Sequence, residues 1–273
     1  MSLLIRSAIV IWPFIACAHA QEGGLPLWEA GLVGGAYVSP AYPGSTERLS
    51  VATALPYLIY RGNVLRIDRK GLEARLVHQD NFEVDIGLAG SLPASSKDIA
   101  VRAGMADLGT LLEFGPRARW VVARPTPTSR IQVELPLRQV LEFNGGIHGQ
   151  GVVFEPRLSY ETRDWGDGWR GSVSASLVFG DRRLNEYFYS VPSEFVTTFR
   201  PAYEAKAGLL ASRITVDSAK NLTPDVRVFG FFRYDNYEGA ANSSSPLMQR
   251  SNGISSGVVL AWIWGRSSLM SER

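Results

Sequence analysis

The sequence predicts an all-β fold: a transmembrane, antiparallel, up-and-down β-barrel of about twelve strands (10–12). Three observations carry this. Apolar and polar residues alternate at period two over stretches of about ten residues, the length a tilted membrane strand needs. The linkers between them alternate between long and short, as the two rims of an outer-membrane barrel do. The last strand, Ile254 to Trp264, has a bulky apolar face and ends on Trp262 and Trp264, residues that a bilayer interface selects.

The chain of 273 residues opens with one charge, Arg6, then an apolar run, Ser7 to Ala16. It closes on Ala18-His19-Ala20, a small-x-small pattern that predicts a secretory signal peptide at 1–20. The run is shorter than the ~20 apolar residues a retained membrane helix needs. A lipoprotein signal ending at Cys17 is the other reading; Phe14-Ile15-Ala16 departs from its usual Leu-led pattern. Residues 21–273 then form a single barrel domain. Cleavage removes Cys17, the sole cysteine, and with it disulfide and thiol chemistry. It also removes Arg6, which leaves 27 Lys and Arg against 26 Asp and Glu. Nothing in that balance points to nucleic acid as a partner.

The elements follow in order. Ala30 to Val38 is a Gly-rich first strand. After a Pro- and Gly-containing loop, Val51 to Tyr60 places Val51, Thr53, Leu55, Tyr57 and Ile59 on one parity. Val64 to Ile67 is short. Leu72 to His78 and Phe82 to Ala89 form the clearest hairpin, turning at Gln79-Asp80-Asn81. Leu112 to Val122 and Ile131 to Arg138 flank Arg124-Pro-Thr-Pro-Thr-Ser129. Val152 to Glu161 and Trp169 to Phe179 flank Asp164-Trp-Gly-Asp-Gly168, a tight turn that lacks the later ligands of a calcium loop. Tyr203 to Asp217 changes its apolar parity between Leu209 and Ile214, which predicts a bulge. Val226 to Asp235 and the final strand complete twelve. The long linkers are 39–50, 92–107, 144–151, 181–202 and 239–253; the short ones place the other rim, with both termini, in the periplasm.

A soluble barrel of twelve strands would enclose its apolar face in a lumen too wide for side chains to fill. The apolar face is therefore assigned to lipid and the ionisable face to the lumen. The lumen candidates are Glu73, Arg75, Glu83, Asp85, Glu113, Arg117, Arg119, Arg130, Glu134, Arg138, Glu155, Arg157, Arg170, Arg227, Arg233 and Asp235. Both signs are evenly mixed, which favours a lumen cross-linked by ion pairs over a charge-selective pore. Trp120, Trp169, Trp262 and Trp264 are the candidate membrane-interface aromatics.

Three stretches carry a resemblance. They are Gly35-Ala-Tyr-Val-Ser-Pro-Ala-Tyr-Pro-Gly-Ser45 with Leu55-Pro-Tyr57, Asn185-Glu-Tyr-Phe-Tyr-Ser-Val-Pro192 with Phe199-Arg-Pro-Ala-Tyr-Glu-Ala205, and Arg233-Tyr-Asp-Asn-Tyr-Glu-Gly-Ala-Ala241 with Ser245-Pro-Leu-Met248. In order and spacing the chain resembles the MipA/OmpV family of outer-membrane proteins, named for a protein that interacts with the murein hydrolase MltA. One departure is the tail: nine residues, Gly265 to Arg273, follow Trp264, where such barrels usually end on an aromatic residue. The resemblance implies a bacterial outer-membrane location and contact with lipid and lipopolysaccharide. It also implies a scaffold role between a lytic murein transglycosylase and a murein synthase. It assigns no catalytic residue, metal or cofactor. A small-solute channel and an outer-membrane hydrolase are the alternatives. For the hydrolase, the mature chain offers only His78 and His148, neither beside a Gly-flanked nucleophile.

Overall fold

The computed structural model describes residues 26–61, 65–68 and 71–270; the strands at 65–68 and 71–78 are described by backbone alone. The expected signal segment and Cys17 lie outside the described residues. Thirteen strand segments form one antiparallel sheet. They are β1 (Trp28–Pro40), β2 (Arg48–Arg61), β3 (Leu65–Asp68), β4 (Gly71–His78), β5 (Phe82–Ser91), β6 (Thr110–Thr126), β7 (Ser129–Phe143), β8 (Ile147–Phe154), β9 (Arg157–Thr162), β10 (Arg170–Gly180), β11 (Gly208–Asn221), β12 (Val226–Asn236) and β13 (Asn252–Arg266). Sequence neighbours pair, β8 with β9 excepted, and β13 returns to pair with β1 over Glu29 to Val38. β7 pairs with β8 through one half and with β9 through the other. These two are one strand interrupted at Glu155-Pro156, so the ring has twelve positions. Closure leaves no edge whose unpaired backbone groups would face hydrocarbon.

Faces follow from the period of two. β13 turns Val258, Leu260, Trp262 and Trp264 outward, each more than half exposed, and buries Val259, Ala261 and Ile263 on the other face. The same alternation runs round the wall through Leu135, Leu137, Leu158, Val173, Leu177 and Ile214. β1 approaches β13 closely because Gly31 and Gly35 carry no side chain; a Cβ there would overlap the carbonyl oxygens of Trp262 and Val258.

Several boundaries differ from the expectation. β6 and β7 run to a two-residue tip, and their ribbon extends past the Phe82–Trp120 pair where β5 begins. The linker expected at 144–151 shrinks to a turn at 144–146, because His148 and Gly149 continue the ladder opposite Glu142 and Leu141. The strand expected from Tyr203 starts at Gly208. Its parity slip is a bulge: Val178 faces Ala211 and Phe179 faces Leu209, leaving Leu210 extra. The described part of the tail, to Met270, is paired: β13 runs to Arg266, and Leu27 N donates to Leu269 O at 2.8 Å.

The assignment of the apolar face to lipid is corrected on β2. Val51, Thr53, Leu55, Tyr57 and Ile59 point into the barrel, while Ser50, Ala52, Ala54, Pro56 and Leu58 point out. Glu29 decides this. It lies opposite Ile59 and bonds Arg61 and Arg227 inside the barrel, so its whole parity, and that of its partners on β2, is internal.

Candidate functional site in the barrel interior and its cap

One half of the inner wall, from β5 to β11, is ionic. Asp85, without solvent exposure, accepts from Arg117 at 2.9 Å and from Arg119 at 2.7 Å. Arg119 also reaches Glu83 at 3.1 Å. Glu134 lies opposite Arg119 and 3.9 Å from Arg117. Arg130 bonds Glu161 at 2.6 Å, and Gln132 bridges Glu161 and Glu134. Glu155, at the strand break, gathers Arg138 at 2.8 Å, Arg157 at 2.8 Å and Arg213 at 3.4 Å. Arg138 also holds Glu113, and Arg213 holds Asp235 at 2.6 Å. Arg170 bonds Asn221, and Asp217 accepts from Ser172. In a low-dielectric interior such charges persist only when paired, and bidentate guanidinium pairing suits them best. Glu73 and Arg75 lie on β4, whose side chains are outside the described residues.

The other half, from β12 round to β2, is apolar. Phe229, Val259, Ala261 and Ala219 pack together with Val33 and Tyr57, and Tyr37 stacks on Phe231 at 5.9 Å. At its foot Glu29 accepts from Arg227 through both oxygens, at 2.7 and 2.8 Å, and from Arg61 at 2.8 Å.

Four connections close the long-loop end as a cap: 41–47, 92–109, 181–207 and 237–251. The third holds a short helix, α1 (Arg182–Tyr189), started by Asp181, whose side chain accepts from Leu184 N. α1 turns Leu184, Asn185 and Tyr189 into a core with Tyr42, Ile99, Val191, Tyr237 and Leu247. Polar side chains from one loop satisfy the backbone of another. Tyr42 Oη donates to Leu247 O at 2.6 Å, Tyr189 Oη to Pro43 O at 3.1 Å, and Ser245 Oγ to Tyr189 O at 2.7 Å. Asn242 donates to Asn185 and to Lys206 O. Arg200 donates to Val101 O, Ala103 O and Phe195 O, and Arg102 to Phe188 O. Burial pushes the phenols of Tyr42, Tyr187, Tyr189 and Tyr237 above the usual tyrosine range, and lowers the Arg102 guanidinium. Neither the cap core nor its cross-loop bonds were legible in the sequence, because their partners lie as far as 205 positions apart.

The outer wall carries the interface aromatics. Trp262 and Trp264 meet edge to face at 5.5 Å, and Trp120 is exposed near the foot of β6. Trp169 sits in the turn before β10, half-buried, with the Lys220 ammonium 5.8 Å from its ring. Trp28 and Trp165 join them, so all six Trp of the described residues lie toward the short-turn rim. A groove of about 560 Å³ crosses the outer wall beside Pro156, lined by Leu158, Leu177, Ile214 and Tyr234. The described residues hold no cluster of three His, Cys, Asp or Glu placed for a metal.

Residues 32–264 match a family model described as MltA-interacting protein MipA. The chain belongs to the MipA family. The family match and the ring of strands place it in the bacterial outer membrane. No curated protein matches the sequence. Among solved structures, the NanC porin is 9% identical with a TM-score of 0.38, over 85% of this chain and 98% of that one. A bacterial polysaccharide outer membrane secretin is 7% identical with a TM-score of 0.42, over 88% and 99%. OmpT, an outer membrane protein of Vibrio cholerae, is 6% identical with a TM-score of 0.35, over 87% and 99%. At these scores the strand pairing and the family, not the neighbours, carry the reading.

Proposed function

We propose that this outer-membrane barrel is a non-catalytic scaffold for periplasmic murein enzymes, a lytic transglycosylase and a murein synthase among them. The observation that carries the reading is the cap. Four loops interlock over the outer mouth, with Leu247 at 0% and Asn242 at 1% exposure, so the barrel offers partners its periplasmic rim rather than a passage. The ion-paired wall beneath favours the same reading, since a conducting lumen needs binding groups weak enough to release what they bind. Membership of a family described by its interaction with MltA supplies the partner class.

The rim feature best placed to reach a periplasmic partner is the β6–β7 ribbon, whose residues 122–128 are exposed on both faces. The test is retention of a purified lytic transglycosylase on the folded protein in nanodiscs. Wild type retains it. A variant whose ribbon is shortened to an Asn-Gly turn above Ala123 and Ile131 loses most of that retention while keeping heat-modifiable gel migration. Discrete conductance steps in a planar bilayer, together with no retention, would overturn the scaffold in favour of a channel.

A further inference from the structure

The strand break at Glu155-Pro156 leaves a dent on the lipid side of the wall. Glu155 is drawn inward by Arg138 and Arg157, each at 2.8 Å, and by Arg213 at 3.4 Å. Pro156 has no N–H to give to a ladder, and neither has Pro136 on β7. β9 pairs with β7 and β10 only as far as Arg157, and β8 rejoins them at Phe154. Between these points Glu155 N donates to Pro136 O at 3.2 Å and Leu177 N to Pro156 O at 3.1 Å. Outside the break lies the groove of about 560 Å³. One row of cross-strand partners forms it: Val133 opposite Leu158, Leu158 opposite Ala175, Ala175 opposite Ile214, and Ile214 opposite Tyr234. Ala175 is the small member of that row, set between Leu158 and Ile214, each more than half exposed. The groove therefore dips at Ala175. It ends at Ser212, Tyr234 and Asn236, and Asn236 is the last residue of β12, at the cap end. An apolar concavity does not hold water, and left empty it forfeits the dispersion contacts of its lining. On a barrel in the outer membrane, acyl chains are what lies against it.

We infer that this groove binds one acyl chain of lipopolysaccharide, which enters from the cap end and lies across β10 and β11 over Ala175. Its volume is that of a small-molecule site. The tail chemistry follows from the lining, which is carbon over most of its length. The neutral hydroxyls and amide of Ser212, Tyr234 and Asn236 suit the ester and amide linkages where such a chain joins its head group. The choice of lipid follows from the leaflet: with the cap outward, the Asn236 end lies in the leaflet that carries lipopolysaccharide. This choice shares its orientation with the scaffold reading. The groove is otherwise independent of that reading, because its occupancy is measured without any murein enzyme.

The test is native mass spectrometry of the full-length protein, extracted from its own outer membrane in mild detergent and washed free of loosely held lipid. Wild type should retain one lipopolysaccharide per barrel. Ala175→Phe fills the groove from the lipid side and should cut that retention at least tenfold. Ala175 is exposed, so the added ring meets no core, and heat-modifiable migration checks that the barrel still forms. Val258→Phe enlarges an exposed residue of the same wall on β13, outside the groove, and should retain as much lipid as wild type. Undiminished retention by Ala175→Phe overturns the inference, and so does an equal loss in Val258→Phe. Wild type that retains a phospholipid in place of lipopolysaccharide, or no lipid at all, overturns it without recourse to any variant. None of these outcomes alters the retention of a lytic transglycosylase, so the scaffold reading stands or falls separately.

Discussion

Asp85 shows how much a single side chain holds in this wall. It has no solvent contact and serves Arg117 and Arg119 together. Asp85→Asn leaves two guanidiniums under-compensated, which costs about 3–5 kcal/mol for a buried pair broken on one side. The urea concentration that abolishes the compact gel form should fall accordingly. By contrast, Asp167→Asn removes an exposed pair with Lys220 and should leave that midpoint unchanged. At this scale the sequence was partly legible. Arg117, Arg119 and Asp85 were recognisable as one face because their strands alternate strictly. Glu29 and Arg213 were not. Glu29 opens a Gly-rich strand whose two faces look alike, and Arg213 follows a bulge that reverses parity. Period two also says nothing about which charges pair.

Among the elements, the cap should behave as a unit separate from the barrel. Leu247→Ala empties a fully buried position between four loops and costs the cap about 2–5 kcal/mol. Limited proteolysis should then cut within 181–207 or 237–251 at lower protease concentration, while the strands stay protected and gel migration stays compact. The cap tyrosines set its alkaline limit. Their folded pKa values lie above the unfolded tyrosine value of about 10, so the unfolded phenol loses its proton first. Cap stability is therefore level below about pH 10 and falls as pH rises from there through the folded values. Absorbance of tyrosinate should rise late, together with protease sensitivity. Early tyrosinate formation with the cap still protected would contradict this burial. The strands were legible as elements because their alternation is local. The inner and outer sides of β2 were not, since both alternations are compatible with a membrane and only the distant Glu29–Arg61–Arg227 cluster chooses between them.

For the whole molecule, a closed ring of twelve positions predicts resistance to detergent until heated. Unheated protein should migrate faster than boiled protein on a gel, and a single mobility at both temperatures would count against the ring. Trp fluorescence should be quenched by a membrane-impermeant quencher only when it is added to the periplasmic side, because the six described Trp gather at that rim. Quenching from the outer side alone would invert the orientation. The architecture was legible early because linker length and strand period are independent signals that agree. The route by which four long loops close one mouth was not, since it depends on side chains meeting across more than a hundred residues.

The first and last described residues meet at the same rim. Pro26 bridges Met270, and Leu27 donates to Leu269. That adjacency makes the order of the strands interchangeable in principle. A short linker joining 26 to 270, with new ends opened in the β11–β12 turn at 222–225, would give a circular permutant with every native pairing available. Its first strand would be the present β12. If it inserts and migrates as a compact form, insertion depends on completing the circle rather than on which strand emerges last.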